Sequence, residues 1–291
     1  MDQRVINLYD RFTHGGISRR EFLDRLADLT GSAAAAAALL PLLQSDHAKA
    51  AIVAPDDARL ATDTVDYDAA GVKMSGYLAR ARDKTKRPAI AVIHENRGLT
   101  PHIKDVARRL AVEGFLVLAV DVLSPYGGTP ADEDQARDRF AELIKPDEAA
   151  PRIAAAVPFL QKHPESNGNV GAVGFCWGGG MVNRIAVVSP TLKAGVAYYG
   201  QQVRADQVPA IQAALLLHYA GNDERIDAGI PAYEAALKAN GKRYTIYIYE
   251  GAQHAFNNDT GAARYNKAAA DLAWGRTIGF FKRELGTPQP A

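Results

Sequence analysis

The chain has 291 residues, 47% of them hydrophobic, and a formal net charge of +1. That is enough apolar material for one substantial core, and the near-neutral balance argues against partners recognised mainly through charge. There is no basic patch interleaved with aromatics, no Walker-type loop and no zinc-finger spacing, so nucleic-acid binding and nucleotide chemistry have no support, and a single cysteine excludes an intrachain disulfide.

The first fifty residues differ from the rest. Ser18-Arg19-Arg20-Glu21-Phe22-Leu23 is a twin-arginine pattern, followed by a weakly apolar stretch at 31–43 and by Ala48-Lys49-Ala50, an A-x-A cleavage signature. The expectation is an export leader over 1–50 and one domain over 51–291, hence passage through the twin-arginine export machinery and a periplasmic location. An amphipathic N-terminal helix in a cytoplasmic protein is the alternative. The apolar run 33–43, with Pro41 inside, is too short to span a bilayer, so no stable membrane association is expected.

Beyond the leader the pattern is strand-rich and then alternating. Strands at 64–68 and 73–79 suggest an antiparallel start, and 89–94 opens the parallel part. A helix at 103–113, a strand at 115–120, a Pro/Gly loop at 124–130 and helices at 132–144 and 151–163 follow. Two further strands, at 169–175 and 193–199, flank a helix that starts at Gly178. The strand 215–220, a helix through 233–238, the strand 244–249 and a long helix at 262–285, with Leu272, Ile278 and Phe281 as packing contacts, complete a doubly wound α/β pattern: a mostly parallel sheet with helices on both faces.

The most informative stretch is Gly174-Phe175-Cys176-Trp177-Gly178, which sets the lone cysteine in a G-x-C-x-G frame between a strand and a helix. Strand, sharp turn and helix make a nucleophile elbow, in which the glycines relieve a strained turn and the helix N-terminus favours thiolate over thiol. A structural cysteine in a Gly-rich turn is the plain alternative. The order nucleophile, acid, base decides between them, and Asp223 and His254 supply it, each just past a strand end. In a parallel sheet those ends share one edge, so Cys176, Asp223 and His254 are expected to converge. Glu224 and Asp227 stand close enough to replace Asp223. Among the other histidines, His218 reads as core, His102 and His163 as helix positions, His14 and His47 belong to the N-terminal segment, and His94, ending a strand, is the rival base. No cofactor is expected. No metal is expected either, because neither HExxH nor paired-cysteine spacing occurs.

Together these motifs resemble the dienelactone hydrolase (carboxymethylenebutenolidase) family of α/β-hydrolases over residues 61–285. The carriers are Pro88-Ala89-Ile90-Ala91-Val92-Ile93-His94-Glu95-Asn96-Arg97-Gly98, Gly174-Phe175-Cys176-Trp177-Gly178-Gly179, Gly221-Asn222-Asp223 and Gly251-Ala252-Gln253-His254-Ala255-Phe256. The resemblance implies an α/β-hydrolase fold and a thiol hydrolase that opens small-molecule lactones or esters. Cys176 would attack the carbonyl, His254 would serve as base and then acid, Asp223 would orient it, and the backbone N–H groups of Trp177 and Asn96 would hold the oxyanion. It further implies that Glu95 touches the resting thiol; pairing of Glu95 with Arg97 is the alternative. The family's carboxylate-binding arginine shortly after the histidine is missing, with no arginine before Arg264, which puts dienelactone itself in question. Arg97 and Tyr126 are candidate substrate contacts, and Arg137 and Arg139 could also take an anion. A second hypothesis is a non-catalytic small-carboxylate-binding protein on a hydrolase scaffold.

Overall fold

The computed structural model describes residues 1–43, 51–288 and 290. Three helices come first, α1 (Gln3–Thr13), α2 (Arg19–Thr30) and α3 (Ala33–Leu43). The main body then runs β1 (Leu60–Ala69), β2 (Val72–Ala81), β3 (Arg87–Ile93), α4 (Pro101–Val112), β4 (Leu116–Asp121), α5 (Glu133–Leu143), α6 (Pro146–Ala154), α7 (Ala156–Lys162) and β5 (Ser166–Phe175). It continues with α8 (Trp177–Val188), β6 (Ala194–Tyr198), β7 (Ala214–Asn222), α9 (Glu224–Asp227), α10 (Ile230–Ala239), β8 (Tyr244–Gln253) and α11 (Lys267–Leu285).

Eight strands form one sheet in the order β1-β2-β4-β3-β5-β6-β7-β8, antiparallel at β1–β2 and β2–β4 and parallel from there on. The antiparallel start and the parallel remainder agree with the sequence expectation. β3 and β4 are buried along their whole length, as apolar strands covered on both faces must be. Residues of α4 and α11 pack on one face of the sheet, and residues of α6, α7, α8 and α10 on the other. Right-handed crossovers through these helices leave all the parallel strands ending on one rim.

Some element expectations shift. The helix expected over 151–163 is split into α6 and α7, because Pro158 has no N–H to offer the carbonyl one turn back. The last helix starts at Lys267, where the Asn266 side chain caps the Ala269 N–H at 3.1 Å, and the preceding residues form turns. Leu272, expected in the core, is 51% exposed on the outer side of α11, whereas Ile278 and Phe281 are buried.

The N-terminal helices form a layer of their own at the rim where the parallel strands end. Val5, Leu8, Tyr9, Phe12, Phe22 and Leu26 make its small core, with Phe12 and Phe22 stacked at 4.6 Å. Arg19, half of the twin-arginine pair, opens α2 behind its Ser18 cap and forms an ion pair with Asp134 on α5. The guanidinium of Arg137 lies 4.6 Å over the Phe12 ring and that of Arg264 5.2 Å over Tyr9, and Gln3 and Gln253 exchange amide hydrogen bonds at 2.8 and 2.6 Å. Among the described residues no single helix is long and apolar enough to cross a membrane. The Ala48-Lys49-Ala50 signature and His47 lie outside the described residues.

Phe12→Ala removes a ring held between Phe22 and Arg137, and large-to-small changes of this kind cost about 3–5 kcal/mol. Hydrogen exchange is expected to show loss of protection across residues 3–43 while the sheet stays protected.

Candidate active site

β5 delivers Cys176 to the rim at φ 57°, a left-handed conformation that a non-glycine residue holds only under constraint. Two close approaches make the turn possible. A Cβ on Gly174 would sit 2.1 Å from the Gly178 carbonyl oxygen, and one on Gly178 would sit 2.3 Å from that of Ile93. The Cys176 N–H is fixed by donating to the Tyr198 carbonyl at 3.0 Å on the neighbouring strand β6. The thiol thus stands at the start of α8, where unpaired N–H groups gather.

Asp223 follows β7 and His254 follows β8, which pair in parallel register, so both reach the same rim. The His254 Nδ1–H donates to Asp223 Oδ2 at 2.5 Å, with both side chains buried. Of the two alternatives, Glu224 is exposed, and Asp227 is raised to about 6 by burial and by the charge of Asp223 beside it. Both ring nitrogens of His94 are engaged by the backbone. Its Nε2 accepts from the Val122 N–H at 3.1 Å while Nδ1 donates to the Glu95 carbonyl at 2.6 Å, and burial holds the ring neutral. His218 is a core residue between Thr277 and Tyr249, as expected.

The thiol has a partner that sequence reasoning missed. His14, just past the end of α1, donates from Nε2 to Cys176 Sγ at 3.2 Å. Its Nδ1 donates to the Asp10 carbonyl at 2.8 Å and faces the Asp10 carboxylate at 3.2 Å, one turn back on the same helix. An Asp-x-x-x-His pair on a helix was the available signal, hidden because the segment read as a leader. The rings of His14 and His254 meet edge to face at 4.9 Å. Two Asp–His pairs therefore converge on one sulfur.

Burial alone would push the Cys176 thiol up, but the charges of His14 and His254 outweigh it and bring it down to about 6. Burial works against the protonated imidazoles too, yet the thiolate and their carboxylates raise His14 to about 9 and His254 to about 10. These shifts run in the directions that favour a thiolate beside two protonated imidazoles.

Trp177 opens α8, so its N–H has no acceptor within the helix, and Asn96 lies in the loop after β3 that packs on Gly178. Both line a cleft of about 340 Å³ together with His14, Phe12, Ile17 and Phe140. The Asn96 side chain donates to the Thr13 carbonyl at 2.5 Å, tying this loop to α1. Glu95 is held elsewhere than the resemblance implied: its carboxylate accepts from Asn258 Nδ2 at 3.0 Å, and His14 takes the place beside the sulfur.

On the other flank, a cleft of about 380 Å³ is lined by Asp10, Asp223, His254 and Arg264. Arg11 and Arg225 line it too, and Arg264, carried by the turns between β8 and α11, is the least exposed of the three. Arg97 sits apart, 3.7 Å from Glu133 and 3.5 Å from the Tyr9 hydroxyl, and Tyr126 accepts from Arg152 at 2.9 Å; neither lines the two clefts that border the triad. Arg137 does line the Asn96–Trp177 cleft, but it is bound to Asp134 and Asp138, whereas Arg139 points into solvent. Among the described residues, His14, Cys176 and His254 also form a group able to hold a metal ion. Spacing could not reveal it, since its members come from three remote segments.

His14→Gln removes one of the two positive neighbours of the sulfur. Thiolate absorbance and the rate of iodoacetamide alkylation are expected to fall below about pH 6 in the unaltered protein and at a pH higher by about one unit or more in the variant.

Comparison with known proteins gives the site a lineage. The model of the dienelactone hydrolase family matches residues 74–285, and that of a YqhI-like family matches residues 1–33. A provisionally named carboxymethylenebutenolidase of Saccharolobus solfataricus is 30% identical over 75% of this chain and 96% of its own length. A provisional 2-oxo-3-(5-oxofuran-2-ylidene)propanoate lactonase of a Bradyrhizobium species is 30% identical over 78% of this chain and 96% of its own. The crystal structure of a provisional dienelactone hydrolase from Klebsiella pneumoniae superposes with a TM-score of 0.67 at 26% identity, covering 77% of this chain and 99% of the other. The chain belongs to the dienelactone hydrolase family and is a lactone or ester hydrolase on the α/β-hydrolase fold.

Proposed function

We propose that the protein hydrolyses small lactones or carboxylic esters by covalent catalysis through Cys176. The observation that carries this reading is the ionised sulfur at the elbow, with the His254–Asp223 pair on the same rim. The thiolate adds to the carbonyl carbon, and the oxyanion that forms is received by the N–H groups of Trp177 and Asn96. As the tetrahedral adduct collapses, the C–O bond breaks and the departing alkoxide takes the proton from His254 Nε2, leaving a thioester on Cys176. In a lactone the new hydroxyl stays attached to the acyl chain. Neutral His254 then takes a proton from water, the hydroxide adds to the thioester carbon, and collapse expels the thiolate, restoring the starting charges. Asp223 holds the imidazole in the required tautomer and steadies its positive form.

Arg264 in the triad cleft supports a substrate bearing an anionic group, the role for which sequence reading had offered Arg97, Arg137 and Arg139. The names of the Saccharolobus and Bradyrhizobium relatives, a butenolide hydrolase and an oxofuran lactonase, point to the same substrate class. A carboxylate-binding module without activity is disfavoured, since nucleophile, acid and base are all present.

Cys176→Ala is expected to abolish turnover of p-nitrophenyl acetate and of a simple aryl lactone, and Asp223→Asn to lower kcat by about 10³-fold or more. In the unaltered protein a burst of p-nitrophenol should accompany acyl mass on Cys176. Undiminished turnover in the alanine variant would refute the mechanism.

This reading makes residues 1–43 part of the working enzyme. Twin-arginine export, proposed from the Ser18–Leu23 pattern, would then deliver an uncleaved chain. Intact mass of the protein from a periplasmic extract is expected to be the full-length value; a chain starting at Ala51 would mean that His14 had been lost.

A further inference from the structure

We propose that His14, Cys176 and His254 form a binding site for a divalent cation of the zinc class, and that its occupation withdraws the thiolate from catalysis. One donor atom from each residue lies within 4.8 Å of the other two, and His14 Nε2 is 3.2 Å from Sγ. Tetrahedral zinc with sulfur at about 2.3 Å and imidazole nitrogen at about 2.0 Å needs donor separations of about 3.3–3.6 Å. A shift of His254 alone closes the set.

Two features favour a metal here. Each imidazole gives its Nδ1–H to an oxygen acceptor, His14 to the Asp10 backbone carbonyl at 2.8 Å and His254 to the Asp223 carboxylate, an arrangement that aims Nε2 at a metal and raises its basicity. His254 Nε2 is buried without a hydrogen-bond partner, in a residue 4% exposed.

The donor set selects the ion. One thiolate and two imidazoles suit zinc or cobalt and offer magnesium or calcium no oxygen ligand. Binding forms a metal–sulfur bond from the thiolate lone pair and two metal–nitrogen bonds, and releases the two Nε2 protons to solvent. No electron changes hands. The fourth position is left to water.

The binding claim is independent of the reaction proposed above; the inhibition claim rests on Cys176 being the nucleophile. The full chain, freed of metal by chelation, is titrated with Co²⁺ and followed by absorbance. A sulfur-to-cobalt charge-transfer band is expected, absent in Cys176→Ala and requiring at least about tenfold more Co²⁺ in His14→Gln and His254→Gln. Circular dichroism checks that the variants fold. Zn²⁺ is expected to bleach the cobalt spectrum and stop ester turnover, with EDTA restoring it. Absence of the charge-transfer band, or equal Co²⁺ affinity in His14→Gln, overturns the site. Zn²⁺ bound with undiminished turnover overturns the inhibition. Turnover persisting in Cys176→Ala would instead refute the thiol mechanism, with the cobalt titration still deciding the site.

Discussion

A buried thiolate survives only where positive charge is fixed against it, because desolvation penalises the ion far more than the neutral thiol. Here that charge comes from two imidazoles delivered by unrelated parts of the chain. One stands on the rim of the sheet after β8; the other is carried by the first helix of the molecule. Remove either and the sulfur has one such partner left. The reactivity proposed for Cys176 rests on this balance.

The sheet does the rest of the positioning. Parallel pairing of β3, β5, β6, β7 and β8 fixes where each chain segment leaves the core, so the elbow, the acid and the base meet without any of them being neighbours in sequence. The tight contacts at Gly174 and Gly178 bring the loop after β3 against the start of α8. Trp177 and Asn96 thereby line one cleft.

The elbow, Asp223, His254 and the mixed sheet were legible in the sequence because each depends on a local signature: a glycine frame, a strand end, an alternation of apolar residues. His94 is set apart from His254 by its two hydrogen bonds to the backbone, which no spacing encodes. His14 was illegible for a different reason. Its pairing with Cys176 spans 162 residues, and the two helices that follow it bring an arginine pair and an alanine-rich run that read as a transport signal. Glu95 and Arg264 were misjudged because distance along the chain says little about loops that fold back. Glu95 turned toward Asn258, while Arg264 returned to the triad cleft ten residues after the histidine.

The N-terminal helices own their apolar core and touch the remainder mainly through polar side chains and two guanidinium–ring contacts. A backbone cut between the two parts would therefore turn the first into a ligand of the second, held by an association constant in place of a peptide bond. An active-site imidazole would then be a dissociable reagent, and the enzyme's behaviour would change with dilution.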